Sequence, residues 1–219
     1  MVGKREELIE FLISVGYLKS PNIINAFKTV PRELFVPSEY ANYAYDDIPL
    51  PIGRSSTISQ PSTVAIMLEF LEPKENEMVL EIGAGSGWQA CLLASCVGKK
   101  GKVVTIEIDK FIADLARRNI AKTGSRNTEV IEGDGSVGYS KGAPFDKIIY
   151  TAAVPEVPKV VLDQLKVKGT LVAPVGNEFI QILKIINKTS EKSIKEKDFG
   201  SFLFVPLKGK FGFKIDNLL

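Results

Sequence analysis

Three glycines at alternate positions, Gly83, Gly85 and Gly87, follow the apolar run Met78–Ile82 and open a segment of helical composition. Such a turn lets a ligand approach the backbone closely because no Cβ intervenes. Its place between a strand and a helix is where nucleotide-like ligands sit in an open α/β sheet. The spacing is G-x-G-x-G, one residue short of the dinucleotide fingerprint, and Glu81 stands just ahead of it. A carboxylate there repels a pyrophosphate and suits a cationic or amine-bearing group. Glu107 falls where the acidic ribose-binding residue of such folds is expected and can accept both ribose hydroxyls. Asp134, within Gly133-Asp134-Gly135, follows the next strand and is placed to accept from the exocyclic amine of adenine. Singly, each acid is an ordinary turn residue; three in register mark one ligand site.

The chain of 219 residues contains no histidine, which excludes histidine-based triads, histidine-ligated zinc and an imidazole base. Its two cysteines, Cys91 and Cys96, lie five apart in a helical segment, on different faces, so a mutual disulfide is sterically disfavoured and a reducing compartment is expected. A hydrophobic content of 45% supports one sizeable core without staples, hence a single domain over 1–219. The 28 basic and 26 acidic residues nearly balance, which points to neither a nucleic-acid nor a membrane partner. The polar start Met1-Val-Gly-Lys-Arg lacks the pattern of a signal peptide or membrane span, and a cytoplasmic protein is expected.

The elements that must position these acids begin with a helical N-terminal part, 1–76. Residues 4–15 read as a helix with Leu8, Ile9, Leu12 and Ile13 on one side, and Ser20-Pro21 as a cap with proline at the first helical position. Tyr45–Pro61 reads as a long loop before a helix over Ser62–Leu71, with Asp46-Asp47 as a solvated turn. A βαβ core, 77–176, follows: strands at Met78–Ile82, Val103–Ile106, Thr128–Ile131, Lys147–Thr151 and Leu171–Val175, with helices at Gly87–Cys96, Lys110–Ala121 and Pro158–Leu165. In 177–219, Phe179–Ile186 and Phe202–Leu207 read as strands joined by a solvated connection, Asn187–Lys197. Phe211, Phe213, Leu218 and Leu219 leave both self-burial and a homo-oligomer open.

Three blocks bear a family resemblance: Pro49-Leu50-Pro51-Ile52-Gly53 running into Thr57-Ile58-Ser59-Gln60-Pro61; Leu80-Glu81-Ile82-Gly83-Ala84-Gly85-Ser86-Gly87-Trp88-Gln89-Ala90; and Gly133-Asp134-Gly135 through Ala143-Pro144-Phe145-Asp146 to Thr151-Ala152-Ala153. The middle block resembles class I S-adenosylmethionine methyltransferases broadly. The other two resemble the protein-L-isoaspartate O-methyltransferase family. That resemblance implies a doubly wound, mostly parallel, seven-stranded α/β sheet with one antiparallel strand and N-terminal helical additions. It implies S-adenosyl-L-methionine as cofactor and S-adenosyl-L-homocysteine as product. Ser56, Thr57, Glu81, Gly83, Ala84, Gly85, Gly87, Glu107, Asp134 and Gly135 would hold the cofactor. Ser59 would be the catalytic hydroxyl, with Ile52, Ile58, Ser59 and Val205 against the substrate. Partners would be isoaspartyl-containing proteins and peptides, with D-aspartyl ones left open, repaired through a methyl ester and succinimide. The chain departs from the pattern at Gly53-Arg54-Ser55-Ser56-Thr57, where the family's lid has a second glycine and a glutamine, at Trp88, where tyrosine is frequent, and at Lys208, where threonine is common.

Such chemistry fits a chain without imidazole. An isoaspartyl α-carboxylate, with a pKa of about 3.5, is ionised at neutral pH and needs no base, and alignment alone supplies roughly 7–11 kcal/mol. Ser59 also has a structural reading, as a cap of the following helix. Arg54 reads as a solvated loop arginine or a carboxylate clamp. A nucleic-acid amino-methylating enzyme would carry Asn/Asp-Pro-Pro-Tyr/Phe where this chain has Tyr150-Thr151-Ala152-Ala153. The residues by themselves also leave open a metal-dependent catechol-type enzyme and a binding module without turnover.

Overall fold

Short β-rich runs alternating with amphipathic helices can bury their apolar residues only by stacking helices on both faces of a parallel sheet. The computed structural model, which describes residues 2–214, has this arrangement. Two N-terminal helices, α1 (Val2–Ser14) and α2 (Pro21–Thr29), precede a small hairpin, β1 (Leu50–Gly53) and β2 (Ser56–Ile58), and α3 (Pro61–Leu71). The core follows as β3 (Met78–Ile82), α4 (Trp88–Val97), β4 (Lys102–Glu107), α5 (Lys110–Thr123), β5 (Thr128–Glu132), β6 (Phe145–Tyr150), α6 (Lys159–Leu162), β7 (Leu165–Gly176), β8 (Gln181–Ser190) and β9 (Ser193–Phe202). The seven-stranded sheet has the order β5-β4-β3-β6-β7-β8-β9. β3 to β7 pair in parallel, and β8 pairs antiparallel with both neighbours. Alternation splits each central strand between two cores: Val79, Val103 and Ile149 face one, Leu80, Val104 and Ile148 the other. The first core also holds the N-terminal helices through Leu8, Leu12, Ile23 and Phe27. Strand order reverses between β3 and β6, so the crevice for a ligand lies at their C-terminal ends.

Several sequence expectations are corrected. Ile13 of α1 is 42% exposed, because Leu8, Ile9 and Leu12 alone fill that helix's buried stripe. Tyr45–Pro61 is not wholly loop, since β1 and β2 pair within it. Asp47 is more than a solvated turn: it accepts from Gln60 Nε2 at 3.0 Å and from the Ser62 amide at 2.8 Å, capping α3. The helix expected over Pro158–Leu165 is the single turn α6, because the Gln164 side-chain amide donates to the Val137 and Val160 carbonyls and the chain then enters β7. Asn187–Lys197 is not a connection but the paired arms of the β8–β9 hairpin, where Lys184 meets Glu196 and Asp198 across the ladder. The ladder ends at Phe202; beyond it the chain bridges Ala153, whose amide donates to Val205 at 2.8 Å and whose carbonyl accepts from Leu207 at 2.8 Å. Pro206 has no amide to continue a strand. Phe213 packs on the first core, whereas Leu218 and Leu219 lie outside the described residues.

Ser20 flanks α2 as expected but does not cap it; its hydroxyl donates to Glu69 of α3 at 2.7 Å. The same carboxylate accepts from the Lys19 and Ser20 amides, both at 2.8 Å, tying α2 to α3. Glu69→Ala strips three donors of their acceptor and is expected to cost roughly 1–3 kcal/mol in urea unfolding; a loss within error would show that water replaces the carboxylate.

Candidate active site

The crevice at the strand reversal is a cavity of about 360 Å³, within the range of small-molecule sites. Its floor is the loop after β3. Gly83 and Ala84 donate to the Ile106 carbonyl at 2.9 and 3.1 Å, and Thr151, at the end of β6, donates to the Gly83 carbonyl at 2.5 Å. Gly83 has φ +102°, and a Cβ there would collide with Thr151 Oγ1. The first glycine is thus required by its neighbour as well as by its backbone.

Glu81 lines the cavity from within the sheet and is fully buried. Its Oε2 accepts from Thr105 Oγ1, in register on β4, at 2.6 Å; its Oε1 has no partner among the described residues. Burial pushes its pKa up to about 8, the Thr105 hydroxyl opposing and nearby Glu107 adding to the rise. Trp88 Nε1 and Gln89 Nε2, on two other lining residues, are likewise buried and unpartnered. A cavity whose walls carry such orphans fits a polar ligand with a cationic group beside Glu81.

Glu107 closes β4 with one oxygen accepting from the Gly85 amide at 3.2 Å and the other from the Asp109 amide at 3.1 Å. Each oxygen retains a lone pair for a hydroxyl donor. Asp109 caps α5 through the Phe111 and Ile112 amides and lines the cavity with Ile108.

The β1–β2 hairpin forms the opposite wall through Arg54, Ser55, Ser56, Thr57 and Ile58, and Ser59 follows, half-buried and lining the same cavity. The Ser59 hydroxyl is not the cap of α3; Gln60 holds the cap position and Asp47 supplies the bond. Arg54 and Ser55 both occupy the left-handed region, with φ of 53° and 57°. A two-residue hairpin turn demands this conformation and usually recruits asparagine and glycine for it. The Arg54 guanidinium lies over the Phe111 ring, 5.4 Å from its centroid, and pins the hairpin tip to α5. Val205, Pro206, Leu207 and Lys208 complete the rim.

One family description matches residues 3–212: protein-L-isoaspartate(D-aspartate) O-methyltransferase. The chain belongs to this family. It is 48% identical to protein-L-isoaspartate O-methyltransferase 2 of Archaeoglobus fulgidus, over 96% of this chain and 95% of that one. Among solved structures, a protein-L-isoaspartate O-methyltransferase superposes with a TM-score of 0.87 at 33% identity, covering 95% of this chain and 67% of the other. A Plasmodium falciparum protein described as a complex with S-adenosyl-L-homocysteine shares the fold, with a TM-score of 0.83 at 23% identity, covering 93% of this chain and 98% of that one.

Of the residues that the resemblance implicates in this isoaspartyl methyltransferase, Ser56, Thr57, Ile58, Ser59, Glu81, Gly83, Ala84, Gly85, Glu107, Gly135 and Val205 all line the one cavity. Gly87, Asp134 and Ile52 do not. Gly87 serves packing: a Cβ would lie 2.9 Å from Ile120 Cγ1, so the glycine admits α5 against α4. Asp134 accepts from the Ser136 and Lys210 amides, each at 2.8 Å, and anchors the C-terminal segment beside the cavity. Ile52 is buried in the core beneath Gly85. Sequence reasoning assigns no role to Thr151 or Asp109; only the second, a cap residue before a helical run, has a local signal.

The buried acid has a pH signature. Below about 4.5 the Glu81 carboxyl is protonated in both folded and unfolded chains; between about 4.5 and about 8 only the unfolded chain ionises, so stability falls as pH rises through that window. Glu81→Gln is therefore expected to melt with the parent near pH 4.5 and above it near pH 8. A constant difference in melting temperature across this range would contradict a protonated Glu81 in the unliganded enzyme.

Proposed function

We propose that the two sides of this cavity divide the labour of isoaspartyl methylation: the β3–β4 side holds S-adenosylmethionine, and Ser59 with the Val205–Lys208 rim holds the acceptor carboxylate. The family's activity is S-adenosylmethionine-dependent methylation of L-isoaspartyl residues in damaged proteins. The observation that carries the assignment is the buried carboxyl group of Glu81, whose Oε1 has no partner among the described residues, lining the same cavity as the Ser59 hydroxyl.

Glu81 would take the cofactor's ammonium group, Glu107 its ribose hydroxyls, and the backbone of Gly83–Gly85 its close flank. Bound there, S-adenosylmethionine supplies a methyl group already activated by a sulfonium. The protein's remaining work is to orient. Ser59 would donate to one oxygen of the α-carboxylate and leave the other free to attack, while Ile58 and Val205 keep water from competing. With the acceptor already anionic, no proton must be removed, in keeping with a histidine-free chain. The assignment extends to D-aspartyl acceptors, as the family description does. Within the described residues no helix is long and apolar enough to cross a membrane; the free, buried thiols of Cys91 and Cys96 suit a reducing cytoplasm, where we place the enzyme.

Removing a hydrogen bond to a charged acceptor costs about 1.5–3 kcal/mol, so Ser59→Ala is expected to slow transfer roughly 10- to 100-fold. Tritium from labelled cofactor, counted as base-labile methanol from matched isoaspartyl and aspartyl peptides, measures this. Full turnover by the variant, or equal labelling of both peptides, would refute the assignment.

A further inference from the structure

Arg32 is among the largest fully buried side chains of the described residues, yet no carboxylate lies within ion-pair distance of it there. It sits in a single 3-10 turn, Arg32–Phe35, after α2. Its guanidinium spends its donors on three main-chain carbonyls of the segment leading into the site: Nη1 donates to Ala44 at 2.7 Å, and Nη2 donates to Ile48 at 3.1 Å and to Ser59 at 3.0 Å. Its face lies 5.2 Å from the centroid of Trp88, which lines the cavity. Nε is left without a partner. Burial lowers the pKa to about 10, with Asp47, Tyr45 and Asp46 opposing, so the group is charged at neutral pH.

A buried, unpaired guanidinium is a costly way to hold a core together, and an apolar side chain of similar volume would often do as well. What an apolar side chain cannot do is donate to three carbonyls in one plane. We infer that Arg32 is a positioning residue for methyl transfer, fixing the Ser59 backbone and the Trp88 ring so that the acceptor carboxylate meets a preset hydroxyl. Asp47 holds the following residues, Gln60 and Ser62, from the other side. Ser59 is thereby braced at its carbonyl and just beyond it. The inference rests on the Ser59 assignment above and adds a residue from the N-terminal part to the acceptor end of the site.

The experiment is a double-mutant cycle on the full chain, using Arg32→Lys, which retains charge, and Arg32→Met, which retains bulk, each with and without Ser59→Ala. Displacement by an ångström can cost 100-fold, so each Arg32 variant is expected to lower kcat on an isoaspartyl peptide roughly 10- to 100-fold. Binding of S-adenosylhomocysteine, which Arg32 reaches only through the Trp88 ring, should weaken by a much smaller factor than kcat falls. Trp88 is the only tryptophan, so its emission should shift when the guanidinium leaves its face. If Arg32 acts through Ser59, the double variant is no slower than Ser59→Ala alone. Additive losses, parental kcat in a folded Arg32 variant, or failure of both variants to fold would each overturn the proposal. A parental rate in Ser59→Ala would instead refute the Ser59 role itself, whereas a slow Ser59→Ala beside a parental Arg32→Lys would refute only that of Arg32.

Discussion

A carboxyl group enclosed within the sheet governs how the rest of the site is built. Glu81 lies on β3, where burial disfavours its charged form, and among the described residues Thr105 on the adjoining strand satisfies only one of its oxygens. Leaving the other oxygen open costs stability, a cost that the cofactor ammonium proposed above would offset. The surroundings follow from keeping Oε1 reachable from the cavity. The loop after β3 must bend away sharply, which fixes Gly83. The strand beyond must end in a small hydroxyl, Thr151, that holds the loop without filling the space.

The two ends of the cavity have different origins in the chain. The β3–β4 end comes from consecutive βαβ elements, so its geometry is local and set by sheet register. The opposite end, proposed above for the acceptor, is assembled from segments far apart in sequence: the hairpin and Ser59, the Val205–Lys208 rim bridged to Ala153, and Arg32 bonded to the Ser59 carbonyl. The hairpin is also under strain, since left-handed backbone costs an ordinary residue about 1–2 kcal/mol and its tip has two such residues, Arg54 and Ser55. The stack of Arg54 on Phe111 offsets part of that cost while it lasts. Stable register on one side and a tense, tethered wall on the other suit a site with one constant ligand and one variable one.

How far the molecule is legible in its sequence follows from how far each feature is local. The central strands are buried on both faces and read as continuous β-rich runs, so β3, β4 and their acidic ends are visible. The β8–β9 hairpin is not, because β9 is exposed along nearly its whole length and its charges mask the alternation. The β1–β2 turn is hidden by lacking the glycine that would announce it. Gly87 resembles a ligand glycine by spacing, yet its reason lies in Ile120, on another helix. Arg32 looks like any charged residue after a proline; only the folded chain shows three carbonyls converging on it. Composition excludes imidazole chemistry, and block resemblance identifies the family, but the separation of lining residues from packing residues requires tertiary contacts.

The exposed β9 arm bears on the enzyme's dealings with its clients. A polypeptide with unpaired backbone can add to a bare sheet margin as an extra strand. Lys195, Glu196, Lys197 and Asp198 occupy that margin, while Glu129 and Glu132 stud the opposite one on β5. Charged outer borders of this kind disfavour strand addition by another chain and leave the cavity, not the sheet edge, as the surface suited to a peptide acceptor.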